Sequence, residues 1–472
     1  MEITNPPLET LENLTFDEIK VGDGATLSRT IRREDIQLFA AVSGDLNPSH
    51  LDELYARDLP GGEITAHGML TGAIISALLG NQFPGPGTTY VRQDLRFLHP
   101  VHMGDTLCVR LTCTERIAAT RQLVIACQVS NQDDVAIAEG EAVVTAPEVK
   151  TRRPRSALPE VTLTDRQRRY DALLARSAGS PAIRVAVAYP CDAESLRGAL
   201  QAWREGLIVP VLIGPAARIH AVADTLGESL DGLEIVDAGF SAEAAEKAVA
   251  LARTGKVAAL MKGSLHTDEL MSQVVHKVSG IRTARRISHV FVADVPRYPR
   301  PLLITDAAIN IQPELADMVD IVQNAIDVAH AIDIPNPRVA LLSAVETVNP
   351  RIPSTLTAAA LCKMAERGQI KGGILDGPLA FDNAVSPFAA RTKGIVSDVA
   401  GHADILVVPD LESGNMLAKQ LEYLAGGLLT GVVVGAAVPI VLTSRADRAD
   451  ARSASCAVVK RLVARRLAAA TL

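Results

Sequence analysis

Asp45-Leu-Asn47-Pro48-Ser-His50 places a carboxylate, a carboxamide and an imidazole within six residues. An Asp and a His held on one rigid turn can grip a water together: the carboxylate takes its proton and the imidazole orients or relays it. The Asn47-Pro48 bond biases Asn47 away from the helical region and stiffens that turn. Read alone, the string also fits an Asx-type cap with a surface histidine. A second set of polar residues is scattered far downstream. It comprises Met261-Lys262-Gly263 with His266-Thr267, Thr305-Asp306 through Asn310, Ser343 through Glu346, Asp376-Gly377-Pro378 through Asp382, Pro409-Asp410 through Asn415, and Thr443-Ser444-Arg445 through Asp447. Arg445 offers a fixed fork of donors suited to phosphate, Ser444 a neighbouring hydroxyl, and Lys262 a further cation. Taken singly, each of these stretches reads as a turn with a helix cap.

The elements that must position these groups differ between the two ends of the chain. A short amphipathic helix, Arg33–Val42, leads into the first turn. Ala66-His67-Gly68-Met69 then opens a helix over Gly68–Gln82, with Ser76 inside it; that helix is apolar almost all round and is expected to be buried. Strand-like runs follow at Thr88–Leu98, Thr106–Thr114, Gln122–Ser130 and Ala136–Ala146, which predicts an α+β domain with an antiparallel sheet. His67 reads as structural, and His99 and His102 as turn residues. Residues 147–163, with three prolines and a basic cluster, have linker chemistry. Beyond them strands and helices alternate, from Ile183–Ala188 to Ile440–Thr443, predicting a doubly wound α/β domain with a mostly parallel sheet. Such sheets bind ligands at the carboxyl ends of their strands, which is where the second polar set falls.

Bulk properties narrow the options. The net charge is −7 and aromatics are 3%, so neither bulk charge nor stacking surfaces favour nucleic acid. Six cysteines show no CxxC or zinc-type spacing and are expected to be reduced thiols of a cytoplasmic protein without a metal centre. The apolar run Leu424–Leu442 reaches membrane-span length, but four glycines and a proline interrupt it, so a buried strand–turn–strand is expected. No GxGxxG or GxxxxGK[ST] string occurs, so a nucleotide site lacks its phosphate cradle.

The order FxxxSGDxNPxH, AHGM, Ser76, FPGPG and FLHPVxxGD over residues 15–147 resembles the MaoC-like (R)-specific enoyl-CoA hydratases of the hotdog fold. That resemblance implies that Asp45 and His50 are the catalytic pair, adding water to a trans-2-enoyl-CoA. It further implies that Asn47 supports the site, that the Gly68 N–H meets the thioester oxygen, and that Ser76 lies near the substrate. Residues 168–470, with DGPLAFDNA, PDLESGNM and VLTSRAD, resemble the phosphate acetyltransferase and phosphate butyryltransferase family. There the implied reaction is acyl-CoA plus phosphate to acyl phosphate plus CoA, with Ser444 and Arg445 as the active-site pair and Lys262 as an anion-site candidate. The family's acidic residue aligns without gaps on Ala451, so the base falls to a neighbour, with Asp450 ranked ahead of Asp447.

The expected architecture is therefore multidomain. It has a hotdog domain over 1–147, a linker over 148–163, and over 164–472 an α/β two-subdomain phosphate acyltransferase fold of isocitrate/isopropylmalate dehydrogenase type. Its first subdomain would take 164–305 plus 440–472 and its second 306–439. The resemblance implies no cofactor, since CoA thioesters and phosphate are the substrates, and homo-oligomers through hotdog pairing; the bulk charge, the few aromatics and the interrupted apolar run predict no nucleic-acid or membrane partner. Two other readings keep the hotdog domain as a non-catalytic acyl-CoA-binding or dimerising module, or as a thioesterase. A metal-dependent decarboxylating dehydrogenase lacks its Asp cluster and cofactor signatures here.

Overall fold

A computed structural model describes residues 10–156, 161, 177, 179–443 and 449–470. The chain divides into two compact units, residues 1–163 and 164–472.

In the first unit, β1 (Thr10–Glu12) pairs with β7 (Arg152–Pro154), and a five-stranded antiparallel sheet runs in the order β2-β4-β5-β6-β3. Its strands are β2 (Gly24–Thr30), β3 (Thr89–Phe97), β4 (Thr106–Ile117), β5 (Gln122–Ser130) and β6 (Ala136–Thr145). Between β2 and β3 lie α1 (Arg33–Ser43), α2 (Pro48–Leu51), α3 (Glu53–Arg57) and α4 (Gly68–Asn81). The sheet follows from alternation: in β4, Leu107, Val109, Leu111 and Cys113 are all buried at a spacing of two. They meet Leu70, Ile74, Ile75, Leu78 and Leu79 of α4 in one core. The expectation of a helix buried all round needs correction. Met69, Ala73, Ser76 and Gly80 are exposed, because α4 contacts the sheet along one side and presents mostly small residues on the other.

The second unit is built on one eleven-stranded sheet in the order β10-β9-β8-β11-β18-β17-β12-β13-β16-β14-β15. The strands are β8 (Ile183–Ala188), β9 (Ile208–Gly214), β10 (Glu234–Asp237), β11 (Ala259–Lys262), β12 (Ser288–Asp294), β13 (Leu302–Thr305), β14 (Arg338–Leu342), β15 (Ile374–Leu379), β16 (Ile405–Val407), β17 (Leu428–Val434) and β18 (Ile440–Val441). Both ends of the sheet are parallel, whereas β18-β17, β17-β12 and β12-β13 pair antiparallel in the middle. The Leu424–Leu442 run is β17, a turn and β18, and no helix among the described residues is long and apolar enough to cross a membrane. Helix Ala449–Ala470 buries Cys456, Ala457, Val458 and Val459 in the core that also holds Leu196, Ala199 and Leu200 of helix Ala193–Arg204. The two helices approach closely at Gly198, where a Cβ would lie 2.7 Å from the Arg452 side chain.

Candidate active site

The first-unit site grows from the end of α1. Gly44 takes φ 74° and returns its N–H to the Ala40 carbonyl, a left-handed cap that glycine adopts without Cβ strain. The chain leaves it into a ladder of side-chain caps. Asp45 Oδ1 accepts the Asn47 N–H at 3.2 Å, and Asn47 Oδ1 accepts the Ser49 N–H and hydroxyl at 3.1 and 3.0 Å. Asn47 is thus the N-cap of α2, with Pro48 at the first helical position. This short helix aims His50 inward, where Nδ1–H donates to the Thr65 carbonyl at 2.7 Å. A carbonyl only accepts, so that proton sits on Nδ1 and Nε2 bears the lone pair.

His67 joins this pair. It is the N-cap of α4, 3% exposed, and its Nε2–H donates to the Asp45 main-chain oxygen at 3.0 Å. Its ring lies over that of His50 with centroids 3.9 Å apart. Asp45, His50 and His67 each bring one ligand-type atom within 4.8 Å of the others, the dimensions of a metal site. However, the imidazoles overlap face to face, tilted by 33°, whereas two ligands of one ion turn their edges to it. The arrangement is better suited to holding a water between Asp45 and His50. Asp45 is exposed and His50 half-buried, so that water can be reached from solvent.

Gly68 opens α4, where the first N–H groups have no partner within the helix. A Cβ there would meet only the Phe97 ring, at an ordinary 3.6 Å, so packing does not demand glycine; its absence of side chain leaves the helix end open. Ser76 lies two turns on, exposed on the open side of α4. The structure thus brings Asp45, Asn47 and His50 together and adds His67, which the sequence reading treated as structural. The signal for His67 was its place beside Gly68 at the start of the helix.

In the second unit, Ser444, Arg445 and Asp447 lie outside the described residues. Their described neighbours are Thr443, 2% exposed with no hydrogen-bond partner for its hydroxyl among the described residues, and Asp450, partly buried in the first turn of helix Ala449–Ala470. Lys262 is buried at the end of β11, its ammonium donating to the carbonyls of Gly263 and Leu265 at 3.4 and 3.2 Å. The Asp306 carboxylate accepts the N–H groups of Ala308, Ile309 and Asn310 and the Asn310 side-chain amide, at 2.6–3.1 Å. Asn310 in turn accepts from Arg286 Nε at 2.7 Å, so this turn organises a half-exposed guanidinium that the sequence reading did not single out. Asp410 caps helix Leu411–Tyr423 through Ser413, and Gly414 lets that helix reach the Asp306 turn: a Cβ there would lie 3.0 Å from the Asp306 carbonyl. His289 is fully buried, and burial pushes its pKa down. At the carboxyl ends of β14 and β16 a cavity of about 450 Å³ is lined by Leu341, Leu342, Ser354, Thr357, Val407 and Asp410 among others.

Residues 238–458 match the phosphate acetyl/butaryl transferase family model. A phosphate acetyltransferase of Rhizobium meliloti is 60% identical over 302 residues, covering 64% of this chain and 95% of that protein. The chain belongs to this phosphate acyltransferase family. A phosphate butyryltransferase of Clostridium acetobutylicum is 42% identical over 58% of this chain and 91% of its own length. A branched-chain phosphotransacylase of Enterococcus faecalis V583 shares the fold at TM-score 0.52 and 32% identity, over 60% of this chain and 99% of that one. Residues 18–134 match the MaoC like domain model. The family member therefore carries a MaoC-like domain ahead of its phosphate acyltransferase domain.

Proposed function

We propose that this phosphate acyltransferase is bifunctional, with the MaoC-like domain hydrating trans-2-enoyl-CoA to (R)-3-hydroxyacyl-CoA. The observation that carries the hydratase half is the junction of Asp45 and His50 on one turn, with His50 Nδ1 committed to Thr65 and Nε2 left with its lone pair. A water between them gives its proton to the Asp45 carboxylate and its oxygen to C3 of the enoyl thioester. The charge that develops on the thioester oxygen meets the Gly68 N–H at the start of α4. Asp45 then returns that proton to C2, so that one water is added across the double bond, and Ser76 lines the acyl side.

In the transferase half, a phosphate oxygen attacks the thioester carbonyl and the CoA thiolate leaves, yielding acyl phosphate. Arg445 holds the phosphate, Ser444 donates to the acyl or phosphate oxygen, and Asp450, or failing it Asp447, manages the thiol proton. Lys262 contributes positive potential near the strand ends. Family membership supports this half, and its relatives span acetyl and butyryl chemistry. The reading takes the second unit as two subdomains of isocitrate/isopropylmalate dehydrogenase type, divided near residues 305 and 440. It also takes the chain as a cytoplasmic homo-oligomer that needs no cofactor. The exposed edge strand β3, with Tyr90, Val91 and Phe97 open to solvent, supports hotdog pairing.

The deciding experiment measures hydration of crotonyl-CoA and phosphate-dependent CoA release by the same preparation. Both activities are expected; transferase activity without hydration would reduce the MaoC-like domain to a binding or dimerising module.

A further inference from the structure

His67 touches both members of the proposed water site: the main chain of Asp45 through Nε2–H and the ring of His50 through its face. Asp45 otherwise rests on local bonds, its N–H to Ser43 Oγ and its Oδ1 from the Asn47 N–H, both 3.2 Å long, on a solvent-exposed turn. The bond from His67 spans 22 residues and ties that turn to the start of α4. His50 is tied to the same short stretch, through the Thr65 carbonyl two residues earlier. Phe39 closes over His67 with ring centroids 5.1 Å apart, and His67 Nδ1 is buried without a partner among the described residues. A side chain placed only to fill space would not keep a bare ring nitrogen in an apolar pocket, because an unpaired buried polar atom costs stability.

We infer that His67 is a positioning residue for the hydration step, using its Nε2–H to hold Asp45 at the distance from His50 that lets the two share one water. The inference rests on the hydratase reading. Its role is in placement, since the ring is buried and its one hydrogen bond goes to the protein main chain.

The test uses the full chain and two substitutions that separate the donor from the ring. His67→Gln returns an N–H donor close to the Nε2 position but lacks the aromatic face. His67→Phe keeps the face and the volume but lacks the donor. With crotonyl-CoA, H67Q is expected to keep kcat within about threefold of the parent while H67F loses roughly 100-fold, because a misplaced reacting group costs that much. KM is expected to change by less than about twofold in both. A merely structural histidine gives the opposite order, since phenylalanine suits a buried apolar pocket better than glutamine does. H67F matching or exceeding H67Q therefore overturns the inference while leaving the hydratase reading intact. A parent chain that does not hydrate crotonyl-CoA removes that reading, and the inference with it.

Discussion

Asp45 and Asp306 use the same carboxylate in opposite ways. Asp45 is exposed and accepts one long bond from a main-chain N–H, which leaves most of its acceptor capacity for a substrate water. Asp306 is 3% exposed and accepts four hydrogen bonds from its own turn, with nothing left over for chemistry. Both belong to motifs that look equally reactive in a sequence. The difference teaches that a motif carboxylate is chemical where its bonds are unfilled and architectural where they are full.

Substitutions can break that contrast. Asp45→Asn is expected to cut crotonyl-CoA hydration by about 100-fold or more, the loss of a general base, with phosphate-dependent CoA release unchanged. Asp306→Asn is expected to lower the stability of the second unit by about 2 kcal/mol, read by denaturant unfolding, because an amide nitrogen then faces N–H donors. If hydration survives the first change, or if the second alters rate constants without altering stability, the two roles have been assigned the wrong way round. Arg445→Ala is expected to raise the phosphate concentration for half-saturation roughly tenfold, the loss of a forked charge-assisted contact, as measured by CoA release against phosphate.

His289 sharpens the architectural side through pH. Burial lowers its pKa in the folded state, so the unfolded chain binds a proton first as pH falls, near the ordinary value of about 6.5. Stability contributed by the neutral ring is full above that value and declines below it. His289→Gln is expected to flatten the stability–pH slope below it by up to about 1.4 kcal/mol per pH unit, measured by unfolding at stepped pH. The smallest effect is one in which the two regions agree. Burial raises the thiols of Cys127 and Cys191 to about 11 and those of Cys362 and Cys456 to about 12. All four are expected to resist iodoacetamide in the folded chain at mildly alkaline pH, read by mass spectrometry, because the thiolate is the reactive form.

Asp45, Asn47 and His50 were legible in the sequence because their relation is local: six residues, one proline and two Asx caps set the geometry. His67 was not, because its partner is the main chain of a residue 22 positions away, and no pattern of side-chain types encodes that bond. The alternation of β8, β9 and β11 with helices announced a parallel sheet. The antiparallel β12 and β13 escaped notice because short apolar runs such as Leu302–Thr305 carry no mark of direction. Helix α4 misled in a further way. Methionine and alanine on its open side keep its average apolarity high, and the glycine and serine between them require no cover. In the second unit the glycines of the motifs reported close packing: Gly377 sits where a Cβ would lie 2.7 Å from Leu341, as Gly414 does against Val408.

The place of β18 in the sheet has a consequence for biosynthesis. It pairs with β11, so Leu260 waits beside Ile440, and Met261 beside Val441, across some 180 intervening residues. Until residues 428–470 have left the ribosome, β11 presents an unpaired edge, and helix Ala193–Arg204 lacks the helix Ala449–Ala470 that covers it. Strand edges in that state are prone to wrong pairing. The first unit closes its own sheet by residue 145 and has no such wait. A nascent chain stalled between the two should therefore carry a finished hotdog and an acyltransferase in need of a chaperone.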